Sequence, residues 1–521
     1  MSLQGGGRGH ELNILSLSVF FAVLLCLYYL APDRLRTALL AAASLVFCYF
    51  AGGKRMLASL VFATLTTWYA AARMEASGTK RGRDAWFYGA LLLNLGVLAV
   101  CKYLNFFIYT GRAAGELLKR EFPFDELSIA APLGLSFYTL QVLGYLMDVS
   151  RGTCKAEKSL ARYTAFSCFF PQLVTGPINR YGDMEKTLYA KKHFDYKQVT
   201  FGLQRIAWGF FKKLVISERM AVLVNTVYGD YQTYSGLYIG FATVCFAFQL
   251  YTDFSGAMDI ALGVSQALGI RMAENFDTPF FASSVSEYWR RWHITLGTWM
   301  KDYVFYPLLK SERWIRIGER ARKRLGKKRG KKIPTYLGMV VLWFTVGMWH
   351  GGAWKYIVGS GLLHCFYIIF GQMMEPVFQK MKEIFHIRTE CFSYRLFQSL
   401  RTFFLVCIGF VFFRAPSLRA ALAMLKAGLY PNVWIFTDGS LLKLGLDAPD
   451  FTAGILGLAV LLLVSSLQLK FRAEGSGVRE KLAGQNLVFR WILYYGLLFA
   501  VILFGFYGPG YDAGEFIYQN F

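Results

Sequence analysis

The chain has 521 residues, of which 55% are hydrophobic and only 17% charged, and its mean hydropathy is +0.36. A soluble protein of this length needs more charge to cover its surface, so the composition excludes an ordinary soluble enzyme and indicates an integral membrane protein. Lys and Arg exceed Asp and Glu by 24, which in so apolar a chain reads as the positive-inside bias and contact with anionic lipid.

Residues 1–11 are Gly-rich and polar and read as a mobile tail. The apolar run Leu12 to Leu30 follows without a strongly basic region before it, so a retained first helix is expected rather than a cleaved signal peptide. Further runs are Leu35 to Gly52, Met56 to Ala72, Trp86 to Tyr109, Leu237 to Tyr251, Pro334 to Trp349, Tyr356 to Phe370, Leu396 to Phe413, Phe451 to Leu467 and Leu487 to Phe506. Several approach the roughly 20 residues that cross a bilayer, and about eleven spans are expected. Arg73 to Arg83 reads as a cytoplasmic turn, and Ala113–Glu126 and Lys186–Lys197 as interfacial segments. Pro132, Gly134, Pro171, Gly176 and Pro177 interrupt apolar sequence. In lipid, broken backbone survives only where protein or a wet cavity satisfies it, so re-entrant or half-length helices around a central cavity are expected.

Lys310 to Lys332 holds twelve Lys or Arg against two Glu, a net of +10. Beyond Trp314 no aromatic side chain interleaves it, so it reads as a cytoplasmic loop or interfacial helix on acidic headgroups rather than a nucleic-acid site. No long linker, low-complexity tract or repeat divides the chain, and residues 12–521 are expected to form one integrated all-α membrane domain. The nine cysteines are scattered without a CxxC pair, which argues against a disulfide framework and a zinc site. No G-x-S-x-G elbow, Walker A loop, dinucleotide fingerprint or HExxH motif occurs.

Only six histidines occur, and a histidine in or near a membrane is a functional-site hypothesis unless it has partners. His293 lies in Ser286-Glu287-Tyr288-Trp289-Arg290-Arg291-Trp292-His293-Ile294-Thr295. As one helix over 286–303, that stretch aligns Trp289, His293, Leu296 and Met300, with Ser286 as cap and Glu287 paired to Arg291. An interfacial amphipathic helix carrying His293 as a passenger fits equally well. His350 ends an apolar run and precedes Gly351-Gly352, where the backbone can turn and another group can approach. Its imidazole suits a general base, with a satisfied core histidine as the alternative. His364 reads as structural, because a helix joining it to His350 would separate the two by about 21 Å. His10, His193 and His386 read as surface residues. Asp253 and Asp259 sit in apolar sequence and need cationic partners, Arg290 and Arg291 being candidates; Asp148 is similar.

At these residues the chain resembles the membrane-bound O-acyltransferase (MBOAT) family. The matching segments are Pro132-Leu133-Gly134-Leu135-Ser136-Phe137-Tyr138-Thr139, Phe170-Pro171-Gln172-Leu173-Val174-Thr175-Gly176-Pro177, Asp253-Phe254-Ser255-Gly256, Tyr288-Trp289-Arg290-Arg291-Trp292-His293-Ile294, Asp302-Tyr303-Val304, Trp349-His350-Gly351 and Phe412-Phe413-Arg414-Ala415. They occur in the family's order and cover most of the chain; Cys365 after His364 departs from the usual Gly.

The resemblance is to the bacterial branch that acylates surface polysaccharides. It implies tilted helices around a central pore, His350 as the catalytic histidine and His293 as the second one, with Trp349, Gly351, Trp292, Arg291, Asp253 and Ser255 supporting the pore. It further implies a thioester donor entering from the cytoplasm and an acceptor hydroxyl from outside. His350 would deprotonate the hydroxyl, and His293 or backbone N–H groups would stabilise the oxyanion. The long region after His350 looks more like the alginate-acetylating type, so the donor would be acetyl-CoA and no cofactor or metal would be bound permanently. The alternative is D-alanine on an acidic carrier protein, which the 310–332 segment could dock. Membrane lipids surround such a protein in the bacterial plasma membrane, and an extracytoplasmic partner would carry the acyl group to the polysaccharide. Within the aromatic tail 510–521, Tyr518 could serve as a transient acyl relay, or the tail could anchor in headgroups. Two rivals remain: a polysaccharide transporter or flippase, which broken helices and buried charges would also fit, and an acyltransferase acting on lipid or protein.

Overall fold

The computed structural model describes residues 14–507 apart from 121 and 128. Tyr518 and the termini therefore lie outside the described residues. Within them the chain is all-helical, and the one β-type pairing is an isolated antiparallel bridge between Phe276 and Trp292. Seven described helices are long and apolar enough to cross a membrane: Asp33–Ala76, Lys80–Leu117, Leu237–Ala267, Tyr356–Ile384, Phe392–Arg414, Ala448–Ala473 and Leu487–Phe504. The sequence suggested about eleven spans, on the length a bilayer requires. Part of the difference is that two expected spans form the single stretch Asp33–Ala76, bent at Gly53 (φ 65°, ψ −164°). The apolar helix Ile14–Leu30, at 17 residues, is shorter than the seven.

The chain divides into two compact units. The first comprises the described residues up to Phe210 together with Gly256–Ala273 and Tyr507. Its core joins Cys48, Met56, Leu60 and Ala63 of Asp33–Ala76 to Leu98, Leu135, Tyr138, Val142, Cys168 and Leu173. Helix Leu135–Arg151 starts at Gly134 (φ 70°), where any Cβ would collide with the carbonyl of Leu173. Almost every residue of that helix is buried, so the Pro- and Gly-broken backbone before it is packed in protein, as lipid demands. Residues 202 and 209 are glycines because a Cβ at either would sit 2.6 Å from the carbonyl of Gly263 or Gly256, the close approach that small residues permit between membrane helices. Asp259, whose partner was expected among Arg290 and Arg291, is bound instead by Arg205 at 2.8 Å.

The second unit comprises Phe211–Ser255 and Glu274–Phe506. It contains both candidate histidines. The basic segment is largely helical, Glu312–Gly330, broken at Gly326 (φ 76°).

Candidate functional site

The Tyr288–His293 stretch is not the single helix its spacing suggested. Helix Val285–Arg291 stops, Trp292 is extended, and His293 adopts φ 47°, ψ 50° before helix Ile294–Met300 begins. The expected stripe of Trp289, His293, Leu296 and Met300 is therefore broken at the histidine. No Gly or Pro marks the break. It is imposed by residues 275–277, which run alongside: Asp277 N donates to Arg291 O at 2.9 Å, and Ile294 N donates to Asn275 O at 3.0 Å. A left-handed conformation at a non-glycine residue costs about 1–3 kcal/mol and persists only when its surroundings enforce it. The helix cap is Ser284, whose side chain accepts from Glu287 N, not Ser286. The expected Glu287–Arg291 pair is present at 2.6 Å.

Asn275, which is fully buried, holds the histidine in place. Its Oδ1 accepts from Thr295 N at 3.0 Å and Thr295 Oγ1 at 2.9 Å, and lies 3.2 Å from His293 Nδ1. Because that oxygen can only accept, the ring donates through Nδ1–H, which leaves the Nε2 lone pair directed away from Asn275. Nothing in the sequence pattern singled out Asn275, because its contact with His293 is purely tertiary.

Phe254 packs edge-on against His293 at 4.9 Å, and Trp349 does so at 5.3 Å. Trp349 also touches the ring of His350 at 5.1 Å, so one indole bridges the two imidazoles. Burial, and then the charge of nearby His350, lower the proton affinity of His293 well below the usual histidine range. His293 is thus a neutral imidazole at physiological pH.

His350, 3% exposed, is the last residue of helix Ile333–His350. The ring of Phe413, from the expected Phe412-Phe413-Arg414-Ala415 segment, lies 5.4 Å from it. The turn after it depends on small residues: a Cβ on Gly351 would sit 2.6 Å from the Tyr356 ring, and one on Gly347 2.7 Å from Ile357 Cα. The chain resumes as a wide π-helical turn, Tyr356–Leu362, so His350 and His364 do not share a helix. His364 is instead enclosed by Trp289 at 5.0 Å, Trp343 at 6.0 Å and Tyr367 at 5.9 Å.

The supporting residues sort themselves by contact. Trp292 is buried against Tyr251, Phe276, Tyr288 and Phe410. Arg291 ties Glu287 to Thr278. Asp253 pairs with Lys213 at 2.6 Å, correcting the expectation of Arg290 or Arg291, and Lys213 also reaches Glu218 at 2.8 Å. Ser255 accepts from Lys212 at 2.8 Å. Both lysines lie in a second wide turn, Phe211–Ser217, and are nearly inaccessible. The sequence reading passed over Phe210-Phe211-Lys212-Lys213-Leu214, although paired lysines in an apolar run carry the same signal as intramembrane carboxylates. Through Phe254, the Asp253–Ser255 strip backs directly onto His293.

Residues 155–318 match the sequence profile of the membrane-bound O-acyltransferase family, MBOAT. The chain is 30% identical over 450 residues to the probable alginate O-acetylase AlgI of Pseudomonas syringae pv. tomato, covering 86% of this chain and 78% of that protein. It is 27% identical over 407 residues to the peptidoglycan O-acetyltransferase of Helicobacter pylori, covering 73% and 71%. It is 27% identical over 296 residues to the teichoic acid D-alanyltransferase of Bacillus subtilis, covering 54% and 68%.

Proposed function

Since the chain belongs to the membrane-bound O-acyltransferase family and is a multi-pass membrane O-acyltransferase, we propose that it moves an acetyl group from cytoplasmic acetyl-CoA to an extracytoplasmic acceptor hydroxyl in polysaccharide O-acetylation. The observation that carries this reading is the pair of buried imidazoles, His293 and His350, joined through Trp349.

His350 takes the proton of the acceptor hydroxyl, whose oxygen attacks the thioester carbonyl. The tetrahedral intermediate then collapses, the C–S bond breaks, and the thiolate leaves with the proton that His350 held. Neutral His293, with Nδ1–H committed to Asn275, offers a lone pair at Nε2 and not a second donor. It therefore orients the attacking hydroxyl, and oxyanion stabilisation falls to the backbone N–H of Gly352, since that of Gly351 donates to Met348 O at 3.2 Å. The bulky ring wall of Phe254, Trp349 and Phe413 keeps the reaction from water, which would hydrolyse the thioester.

The basic segment 310–332 faces the cytoplasm of a bacterial cell by the positive-inside rule, which places the donor entrance on that side. An extracytoplasmic partner receives the acetyl group and modifies the glycan. Twenty-seven per cent identity to a teichoic acid D-alanyltransferase supports a second reading, a D-alanyl donor on a carrier protein. The two separate when purified protein in nanodiscs is given radiolabelled acetyl-CoA and a hydroxyl acceptor. Label appearing on the acceptor upholds acetyl-CoA as donor; no turnover by folded protein overturns it in favour of a carrier-bound group.

A further inference from the structure

The structure gives the basic segment a shape that its composition does not. Helix Glu312–Gly330 bends at Gly326 and folds back, so that a Cβ on Gly330 would sit 2.5 Å from the carbonyl oxygen of Ala321. Before the bend its two sides differ. Trp314, Ile317, Gly318 and Ala321 are wholly or partly buried, whereas Arg313, Arg316, Arg320, Lys323 and Arg324 are exposed. At spacings of three and four, those five cations line up as one stripe on the side away from the protein. Among the described residues the one ion pair on this segment joins Arg316 to Glu312, at 3.0 Å. Like charges three and four apart destabilise a helix in water. A solvated charge run gains nothing from such an alignment, but a stripe that faces an anionic surface does.

The depth of the stripe follows from what the buried side touches. Trp314 Nε1 donates to the carbonyl of Pro334 at 3.0 Å, and a Cβ on Gly318 would sit 3.0 Å from Pro334 Cγ. Pro334 is the second residue of helix Ile333–His350, which has 18 residues. That helix is about 27 Å long at 1.5 Å per residue, close to the ~30 Å hydrocarbon core. The stripe therefore lies at the end of a membrane-length helix, the level of the lipid phosphates, and the positive-inside rule makes it the cytoplasmic end. Ile315 and Leu325, on the same helix, are 51% and 52% exposed; the boundary between headgroups and acyl chains covers such side chains, and water does not. Four of the five cations are arginines, whose planar fork takes two phosphate oxygens at once.

We propose that the stripe from Arg313 to Arg324 docks the phosphates of anionic lipids in the cytoplasmic leaflet, and that the docked lipid braces the start of the helix that ends at His350. A CoA donor carries phosphates too, but eleven residues of helix set the stripe about 17 Å long, a length that suits several headgroups in a row and exceeds one diphosphate. The test uses full-length protein in nanodiscs of phosphatidylcholine alone or with about three-tenths phosphatidylglycerol. Mass spectrometry reads the ratio of the two lipids that stay with the protein after brief detergent extraction. Unfolding temperature is measured in both kinds of disc. Equilibrium binding of CoA and of an acidic acyl carrier protein is measured in phosphatidylcholine discs. None of these readouts needs turnover, so the site stands or falls apart from the acyltransferase reading.

Wild type should retain phosphatidylglycerol enriched about threefold or more over the bulk bilayer, and about 0.5 M NaCl should bring the ratio back toward bulk. Arg313→Gln, Arg320→Gln and Arg324→Gln combined should abolish the enrichment. Lys327→Gln, Lys328→Gln and Arg329→Gln combined remove the same charge beyond the bend and should leave most of it. Wild type should unfold at a higher temperature in the discs that contain phosphatidylglycerol, and the stripe variant at one temperature in both. A bulk lipid ratio in wild type, equal losses in the two triple variants, or no stabilisation by phosphatidylglycerol overturns the proposal. Weaker binding of CoA or of the carrier protein to the stripe variant assigns the stripe to the donor and also overturns it.

Discussion

Replacing Asn275 by Ala attacks the site at its least obvious support. The substitution removes one oxygen that serves Thr295 N, Thr295 Oγ1 and His293 Nδ1. Each buried donor left without an acceptor costs about 1–3 kcal/mol. The threonine hydroxyl can turn to another acceptor, but the backbone N–H and the ring N–H cannot, so the total falls at about 2–6 kcal/mol. The bond from Ile294 N to the Asn275 carbonyl survives, and with it the left-handed backbone at His293. The damage then falls on ring orientation. If the loosened imidazole loses about 1.4–2.8 kcal/mol of transition-state alignment, turnover drops tenfold to a hundredfold. Thermal unfolding by fluorescence size-exclusion and acyl-transfer kinetics on the same preparation read both quantities. Asn275→Asp keeps the acceptor geometry, and its charge raises the proton affinity of His293, so it should retain most stability while moving the pH profile. Wild-type unfolding temperature and wild-type turnover in Asn275→Ala would refute the assignment of Asn275 as the residue that sets His293.

Two further outcomes follow from buried charge. Lys213 serves both Asp253 and Glu218, so Lys213→Met takes the cation from the buried carboxylate of Asp253 and the half-buried one of Glu218 and should cost about 3–5 kcal/mol. Asp253→Asn leaves Lys213 paired with Glu218 and should cost less; the reverse order in unfolding temperatures would contradict the shared pairing. The second concerns pH. His293 has a proton affinity lowered by burial and by His350, so its contribution to stability is fully present above the unfolded-state pKa of about 6.5 and is lost below it, by up to 1.36 kcal/mol per pH unit. Between pH 8 and pH 5 the wild type should therefore lose more stability than His293→Asn, and parallel losses in the two proteins would count against a buried neutral imidazole.

Much of the site was legible because histidine, tryptophan and glycine are rare together in apolar sequence, and His293 and His350 stand out on that ground alone. The family's segments appear in order, and the structure brings Phe254, Trp349 and Phe413 from three of them around the two rings. What the sequence hid was tertiary. Trp289, His293, Leu296 and Met300 fit a helical period, yet residues 275–277 bridge to the chain and break it, with no Gly or Pro to announce the break. The Ser284 cap was readable from Ser284-Val285-Ser286-Glu287, the spacing of a capping box, and choosing Ser286 overlooked it. Asp253 needed a cation, as its apolar surroundings demanded, but the partner came from Lys213, forty residues upstream. Nothing along the chain distinguishes Lys213 from Arg290 as that partner until the helices pack.

The most direct test of the account is acceptor-dependent acyl transfer in a single turnover, comparing wild type, His350→Gln and His364→Gln in the same nanodiscs. Both histidines are buried, but only His350 is joined to His293 through Trp349. Loss of at least a hundredfold in rate for His350→Gln, in protein that still folds, with His364→Gln retaining turnover in proportion to its folded fraction, is the predicted result. Equal rates for wild type and His350→Gln would contradict the central claim that His350 moves the proton.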